Sequence, residues 1–180
     1  MPGVNGVIRL SLYVRQVTLQ AVADLMGLSE FLSPDAVLFN ASASCKREAL
    51  ALLAEKAAKL TGLPAPAIRQ ALMEREQLGS TGVGRGVAIP HGKIDGLGEI
   101  VGVLAKLAEP IDFEAVDDQP VDLVFVLLAP IEATAAHLKA LAKVSRLLRD
   151  ERIREALRGA ETQEALFAIA ADTAQSNAAA

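Results

Sequence analysis

Gly79-Ser80-Thr81-Gly82-Val83-Gly84-Arg85-Gly86-Val87-Ala88-Ile89-Pro90-His91-Gly92-Lys93 puts one of only two histidines at the end of a glycine-punctuated run. The four glycines from 79 to 86 let the backbone turn sharply and bring bare N–H groups close to an anion. Val87 to Ile89 has the apolar content of a short buried strand that aims the next residues along the chain. A neutral imidazole held in that way can accept a phosphoryl group.

Outward from this run, the pattern is helical on the N-terminal side. Residues 65–76 predict a helix with Ile68, Leu72 and Met73 on one face; it stops before the glycines, so Arg75 falls in its last turn and points near them. Before it, Lys46 to Leu60 is amphipathic, with Leu50, Leu53, Ala57 and Leu60 at helical spacing, Ser44 as the candidate cap and Thr61-Gly62-Leu63-Pro64 as the stop. Ala36 to Phe39 reads as a first strand. On the C-terminal side, Ile100–Leu107 and Val121–Leu128 are Val- and Leu-rich runs of strand length bounded by Gly, Pro and Asp, as buried strands are. Glu132 to Arg149 predicts the longest helix, with His137, Leu141, Val144 and Leu148 along one face. Helices over 151–158 and 163–170 come next, the second capped by Thr162. Alternating helices and strands without an internal repeat imply an α/β sandwich.

The bulk numbers narrow the function classes. A chain of 180 residues is the size of one domain with ragged ends, burying roughly 70% of its unfolded surface. Eighteen basic against 22 acidic side chains give a net charge of −4, which does not suggest nucleic acid or an anionic membrane as partner. One Tyr, five Phe and no Trp leave little for stacking bases. Cys45 is alone, which excludes an internal disulfide, fits a reducing cytosol and reads as a small core residue. No apolar run approaches the ~20 residues of a membrane helix, and the N-terminus lacks a cationic region before a long apolar one, so a cytoplasmic location with no membrane insertion is expected. Asn40-Ala41-Ser42 matches a glycosylation acceptor in letters only.

Histidine suits phosphoryl transfer because its imidazole is largely neutral at pH 7, with an unperturbed pKa near ~6.5, and is nucleophilic without a strong base. The competing reading of His91 is a histidine merely satisfied at a strand end. Transfer in line between two histidines needs positive or donor groups around the phosphoryl oxygens. Arg75 can supply a bidentate fork, or simply offset its helix dipole. Ser80, Thr81 and the Gly82 N–H are candidate phosphate donors, although Ser and Thr also favour loops for their own sake. A lone His such as His137 on an apolar stripe is more often a half-buried core residue than a ligand. Arg85 and Lys93 flank the run and either greet a partner or are simply solvated. Nucleotide-binding patterns fail: the gap between Gly86 and Gly92 is one residue too long for a P-loop, Ile94 stands where a magnesium-binding hydroxyl belongs, and the glycines miss the dinucleotide fingerprint. Two histidines and one cysteine give no zinc spacing, so no metal and no cofactor are expected.

Taken with Arg75 before it and His137 after it, the run resembles the active-site signature of the type-2 enzyme IIA domains of the bacterial phosphoenolpyruvate-dependent phosphotransferase system, closest to the nitrogen-regulatory branch. The likeness spans about Leu28 to Ala171, and Ile-Pro-His-Gly-Lys is its specific core. It implies a single α/β domain over 28–171, a mixed β-sheet flanked by helices on both faces. Residues 1–27 are then an extension with two readings, a non-native leader with Met26 as the natural start or a genuine leader holding a short helix at Leu19–Met26, and 172–180 is a flexible tail. It implies that His91 takes a phosphoryl group from an HPr-like phosphocarrier, that Arg75 serves the phosphohistidine, and that His137 steadies the group without being phosphorylated. The free and phosphorylated forms would bind different regulatory targets, such as sensor kinases or potassium-transport proteins. Two alternatives stay open: a stand-alone fructose- or mannitol-type IIA that passes the group to a IIB cysteine, and a binding module of the same fold that has lost phosphotransfer.

Overall fold

After two short 3-10 turns (Leu28–Glu30 and Pro34–Ala36) and a first strand come two helices rich in Ala, Leu, Glu and Lys, residues that lose little side-chain freedom in a helix. Helix α1 (Lys46–Thr61) buries Ala49, Leu50, Leu53, Ala54 and Ala57. It ends where Gly62 takes a left-handed φ of 73° and its N–H closes on the Ala58 carbonyl. Pro64 and Pro66 then launch α2 (Ala65–Gln77), which buries Ile68 and Leu72. The N-cap of α1 is Cys45 rather than Ser44, and this half-buried thiol sits at the helix end instead of in the core. Ser44 lies one position earlier, where its N–H and hydroxyl both donate to the Glu48 carboxylate at 2.8 and 2.7 Å.

The computed structural model describes residues 28–171. The helix expected at Leu19–Met26, the start at Met26 and the tail from 172 lie outside them. Six strands form one sheet among these residues: β1 (Val37–Ala41), β2 (Gly82–Gly84), β3 (Val87–Ala88), β4 (His91–Ile94), β5 (Val101–Ile111) and β6 (Val121–Pro130). The order is β1-β5-β6-β3-β2, with β4 also paired to β6. β5 and β6 are antiparallel, β1 runs parallel to β5, and β3 and β4 run parallel to β6. Three more helices come after the sheet: α3 (Thr134–Arg149), α4 (Glu151–Gly159) and α5 (Gln163–Ala171). The Thr162 hydroxyl accepts from the Ala165 N–H at 3.1 Å, the expected cap on α5.

Strand β6 carries the core on both of its faces. Val124, Val126 and Leu128 face α1 and α2, whereas Leu123, Phe125 and Leu127 face α3, α4 and α5. The period of two turns one apolar run into two hydrophobic layers, and helices flank a mixed sheet on both sides. Each such side chain contributes about 1.5–3 kcal/mol by leaving water. The second layer is closed by Phe31, edge-on to Phe125 at 6.3 Å, over Gly102 of β5. A Cβ at Gly102 would lie 2.7 Å from the Phe125 ring, so only glycine fits under it. No helix among the described residues is long and apolar enough to cross a membrane.

Strands β2 and β4 are absent from the sequence reading, and β3 is shorter than the Val87–Ile89 expected. Their glycines, His91 and Lys93 have no strand propensity of their own; pairing with β6 and with each other makes them strands.

Candidate functional site

Strand β6 positions the histidine. Val87 and Ala88 pair with Leu123 and Val124, the chain breaks step at Ile89-Pro90, and His91 to Ile94 resume against Leu127 to Pro130. The Pro90 carbonyl accepts from the Leu127 N–H at 2.9 Å, which sets His91 at the head of β4. The hairpin before it turns at Arg85 and Gly86, with φ of 58° and 77°, the pair of positive values a tight β-hairpin needs.

Three elements converge on His91, which is half-buried: the last turn of α2 brings Arg75, β4 brings His91, and the first turn of α3 brings His137. Nδ1 of His91 lies 2.8 Å from the Ile89 carbonyl. A carbonyl only accepts, so Nδ1 carries the proton and Nε2 the lone pair. The Arg75 Nε–H donates to that Nε2 at 3.1 Å, and the same guanidinium donates to the Gly79 carbonyl at 3.1 Å. Burial pushes the His91 pKa below 6.5; the Ile89 carbonyl pulls it the other way, Arg75 lowers it further and Glu76 raises it. The net direction is down, which keeps Nε2 neutral and nucleophilic at pH 7.

The His137 ring centroid is 5.8 Å from that of His91, with the planes at 60°. His137 is 7% exposed, and its Nε2 has no hydrogen-bond partner among the described residues. Burial first, then the nearby His91 and Lys93, hold its pKa below the usual value. Lys93 ties β4 to the start of α3, donating to the Ile131 carbonyl at 3.2 Å and the Thr134 hydroxyl at 2.7 Å. Lys93 thereby holds the N-terminus of α3, the positive end of its dipole, against β4.

Ser80, Thr81 and Gly82 lie on the same run, but their donors are engaged inside the protein. Ser80 Oγ donates to the Phe113 carbonyl at 3.0 Å and accepts from the Gly82 N–H at 3.1 Å. Thr81, 4% exposed, gives both its N–H and its hydroxyl to the Glu76 carboxylate, at 3.1 and 2.5 Å. Glu76 also pairs with Lys46 at 3.2 Å, and Lys46 with Glu114. Sequence reasoning passed over Glu76. Its signal was adjacency: a carboxylate beside Arg75, five residues before a buried threonine. Among the described residues no group of three His, Cys, Asp or Glu side chains is placed to hold a metal ion. The arrangement offers an uncharged nucleophile, a cation in contact with it and a second imidazole beside it, the requirements of phosphoryl transfer to nitrogen.

Comparison with known proteins gives the same direction. Residues 30–172 match the family described as "Phosphoenolpyruvate-dependent sugar phosphotransferase system, EIIA 2". A nitrogen regulatory protein of Bradyrhizobium diazoefficiens is 49% identical over 146 residues, 81% of this chain and 95% of that one. A nitrogen regulatory protein of Escherichia coli is 42% identical over 150 residues, 82% of this chain and 91% of that one. The crystal structure of the nitrogen regulatory protein IIA-Ntr from Neisseria meningitidis superposes with a TM-score of 0.74 at 34% identity, covering 78% of this chain and 96% of that one.

Proposed function

This chain belongs to the type-2 EIIA family of the phosphoenolpyruvate-dependent sugar phosphotransferase system, and from that premise we propose that it is a cytoplasmic phosphoryl carrier of the nitrogen-regulatory branch, loaded at His91 by an HPr-like phosphocarrier. The lone pair of His91 Nε2 attacks the phosphorus of the donor's phosphohistidine. The donor's N–P bond breaks and its electron pair returns to the donor ring. No proton has to leave His91: Nδ1–H stays on the Ile89 carbonyl, which stabilises the positive charge the ring acquires. Arg75 rests on the lone pair and must move from it to the phosphoryl oxygens as the new bond forms, a short step because Gly79 anchors the same guanidinium. The unpartnered Nε2 of His137 supplies a second contact to those oxygens without being phosphorylated. Ser80, Thr81 and the Gly82 N–H serve by fixing the glycine run, since each would have to give up an internal bond to reach phosphate.

The phosphorylation state of His91 is then the output, read by regulatory targets of the sensor-kinase or potassium-transporter class. The observation that carries this reading is the 3.1 Å contact of Arg75 with a His91 ring whose other nitrogen is fixed by backbone. The test is intact mass after incubation with phosphoenolpyruvate, enzyme I and the HPr-like carrier. One acid-labile phosphoryl group is expected on the wild type and none on His91→Ala; full labelling of the variant refutes the site.

A further inference from the structure

Beside the site, between the β2–β3 hairpin and the C-terminal half of α3, runs a groove of about 240 Å³ lined by Val83, Arg85, Ile89, Ser145, Leu148 and Arg149. Its floor is apolar, with Ile89 and Leu148 4% and 3% exposed. Its rim holds Val83 and the exposed Arg85 and Arg149, and no carboxylate lines it. The two arginines share an arrangement. Another arginine holds each one's backbone: Arg158 donates to the Arg85 carbonyl at 2.8 Å, and Arg154 to the Arg149 carbonyl at 2.6 Å. Asp117 accepts from the Arg85 N–H at 2.7 Å and is a charged neighbour of its guanidinium. Neither guanidinium donates a hydrogen bond or forms an ion pair among the described residues. Helix α3 carries four basic and no acidic residues in a chain of net charge −4, so this side runs against the overall sign.

Ile89 holds the His91 ring and is two residues from it, at most about 7 Å along the chain. A partner interface of ordinary size covers about 800 Å² per protein, a disc of about 16 Å radius. Ile89 lies well inside that radius, so a donor that delivers its phosphoryl group to His91 extends over the Ile89 end of the groove, and Arg149, 12 residues along α3 from His137 and about 18 Å from it, stands at the margin of such a footprint. We propose that this groove is a docking subsite for the phosphoryl donor and accepts an apolar side chain flanked by carboxylates that pair with Arg85 and Arg149. The inference rests on the phosphocarrier reading and adds the charge and shape of the donor's contacting edge. A wet rim of this kind sets encounter rate and partner choice more than chemistry.

The test compares wild type with the neutral pair Arg85→Asn/Arg149→Gln and the reversed pair Arg85→Glu/Arg149→Glu; Asn tolerates the left-handed φ of position 85. Labelling is followed with the phosphorylated HPr-like carrier and, separately, with phosphoramidate, a donor too small to use the groove. The neutral pair is expected to raise KM for the carrier about 25-fold, about five-fold per exposed pair, with kcat unchanged and a flatter dependence on salt. The reversed pair raises KM further, and phosphoramidate labels all three proteins alike. An unchanged KM in the neutral pair overturns the inference. Equal loss with both donors also overturns it, by assigning the arginines to the site itself. Inorganic phosphate shifting the Arg85 and Arg149 resonances while the carrier KM of the neutral pair stays unchanged gives the groove to a small anion instead. Failure of the wild type to be labelled by either donor overturns the phosphocarrier reading independently of the groove.

Discussion

Replacing His137 by leucine should make the protein more stable and worse at phosphotransfer. The ring is 7% exposed and its Nε2 meets no hydrogen-bond partner among the described residues. An unsatisfied buried polar atom costs about 1–3 kcal/mol, and leucine, of similar volume, removes it and adds apolar burial. A net stabilisation of about 1–2 kcal/mol is expected, or roughly 3–6 °C in Tm for a domain of this size. No ion pair is lost, because burial keeps the imidazole neutral at pH 7. Phosphotransfer moves the other way: losing one preorganised donor to a developing oxyanion slows such steps about 100-fold. His137→Gln is the control, since its amide restores a polar atom near the place of Nε2 and should recover rate but not stability. Thermal unfolding and the rate of labelling from the phosphorylated carrier measure both effects. A Leu variant destabilised by more than about 1 kcal/mol would show that Nε2 is satisfied in solution. A labelling rate within two-fold of wild type would remove His137 from the chemistry.

Three further outcomes are expected. Arg75→Lys should lower the labelling rate about 10- to 100-fold, because one ammonium cannot reproduce a planar fork that spans the His91 nitrogen and the Gly79 carbonyl; a rate close to wild type would mean that charge alone suffices. Both histidines have folded pKa values below 6.5, so the unfolded chain binds more protons than the native one as pH falls through that value. Their contribution to stability is complete above pH 6.5 and is lost as pH falls toward the folded values; Tm measured from pH 7.5 to 5 should fall less steeply for His91→Gln/His137→Leu than for wild type, and parallel curves would contradict the depressed values. Gly102→Ala should cost about 1–3 kcal/mol through overpacking against Phe125 and Phe31, read as a drop in Tm of roughly 3–10 °C with labelling at 25 °C retained.

Much of this was legible in the residues because local pattern and tertiary demand agreed. The 3.6 period of Leu50, Leu53 and Ala57, stopped by Gly62 and Pro64, gave α1 and α2 almost to the residue. The gathering of the candidate residues was legible where spacing met chemistry: Arg75 in a last helical turn, His91 after a glycine run, His137 on a helix stripe. The features that were not legible depend on partners distant in the chain. Strand β4 exists because His91–Ile94 lie along Leu127–Pro130, and no property of His-Gly-Lys-Ile announces it. Ser80 and Thr81 look like phosphate donors until Phe113 and Glu76 are seen to take their hydrogens. Val121–Leu128 read as a buried strand, but only the two hydrophobic layers show that both of its faces are core.

Strand β6 has a consequence for how the site can fail. Its two faces fill two separate hydrophobic layers while its edge fixes His91 opposite Leu127. A slip of one residue would exchange the two layers and displace His91 in the same motion. Alignment of His91 and integrity of the core are therefore one degree of freedom. Folded molecules share a single geometry at His91, and a population damaged by heat or mutation loses the molecules that hold it one by one instead of drifting as a whole.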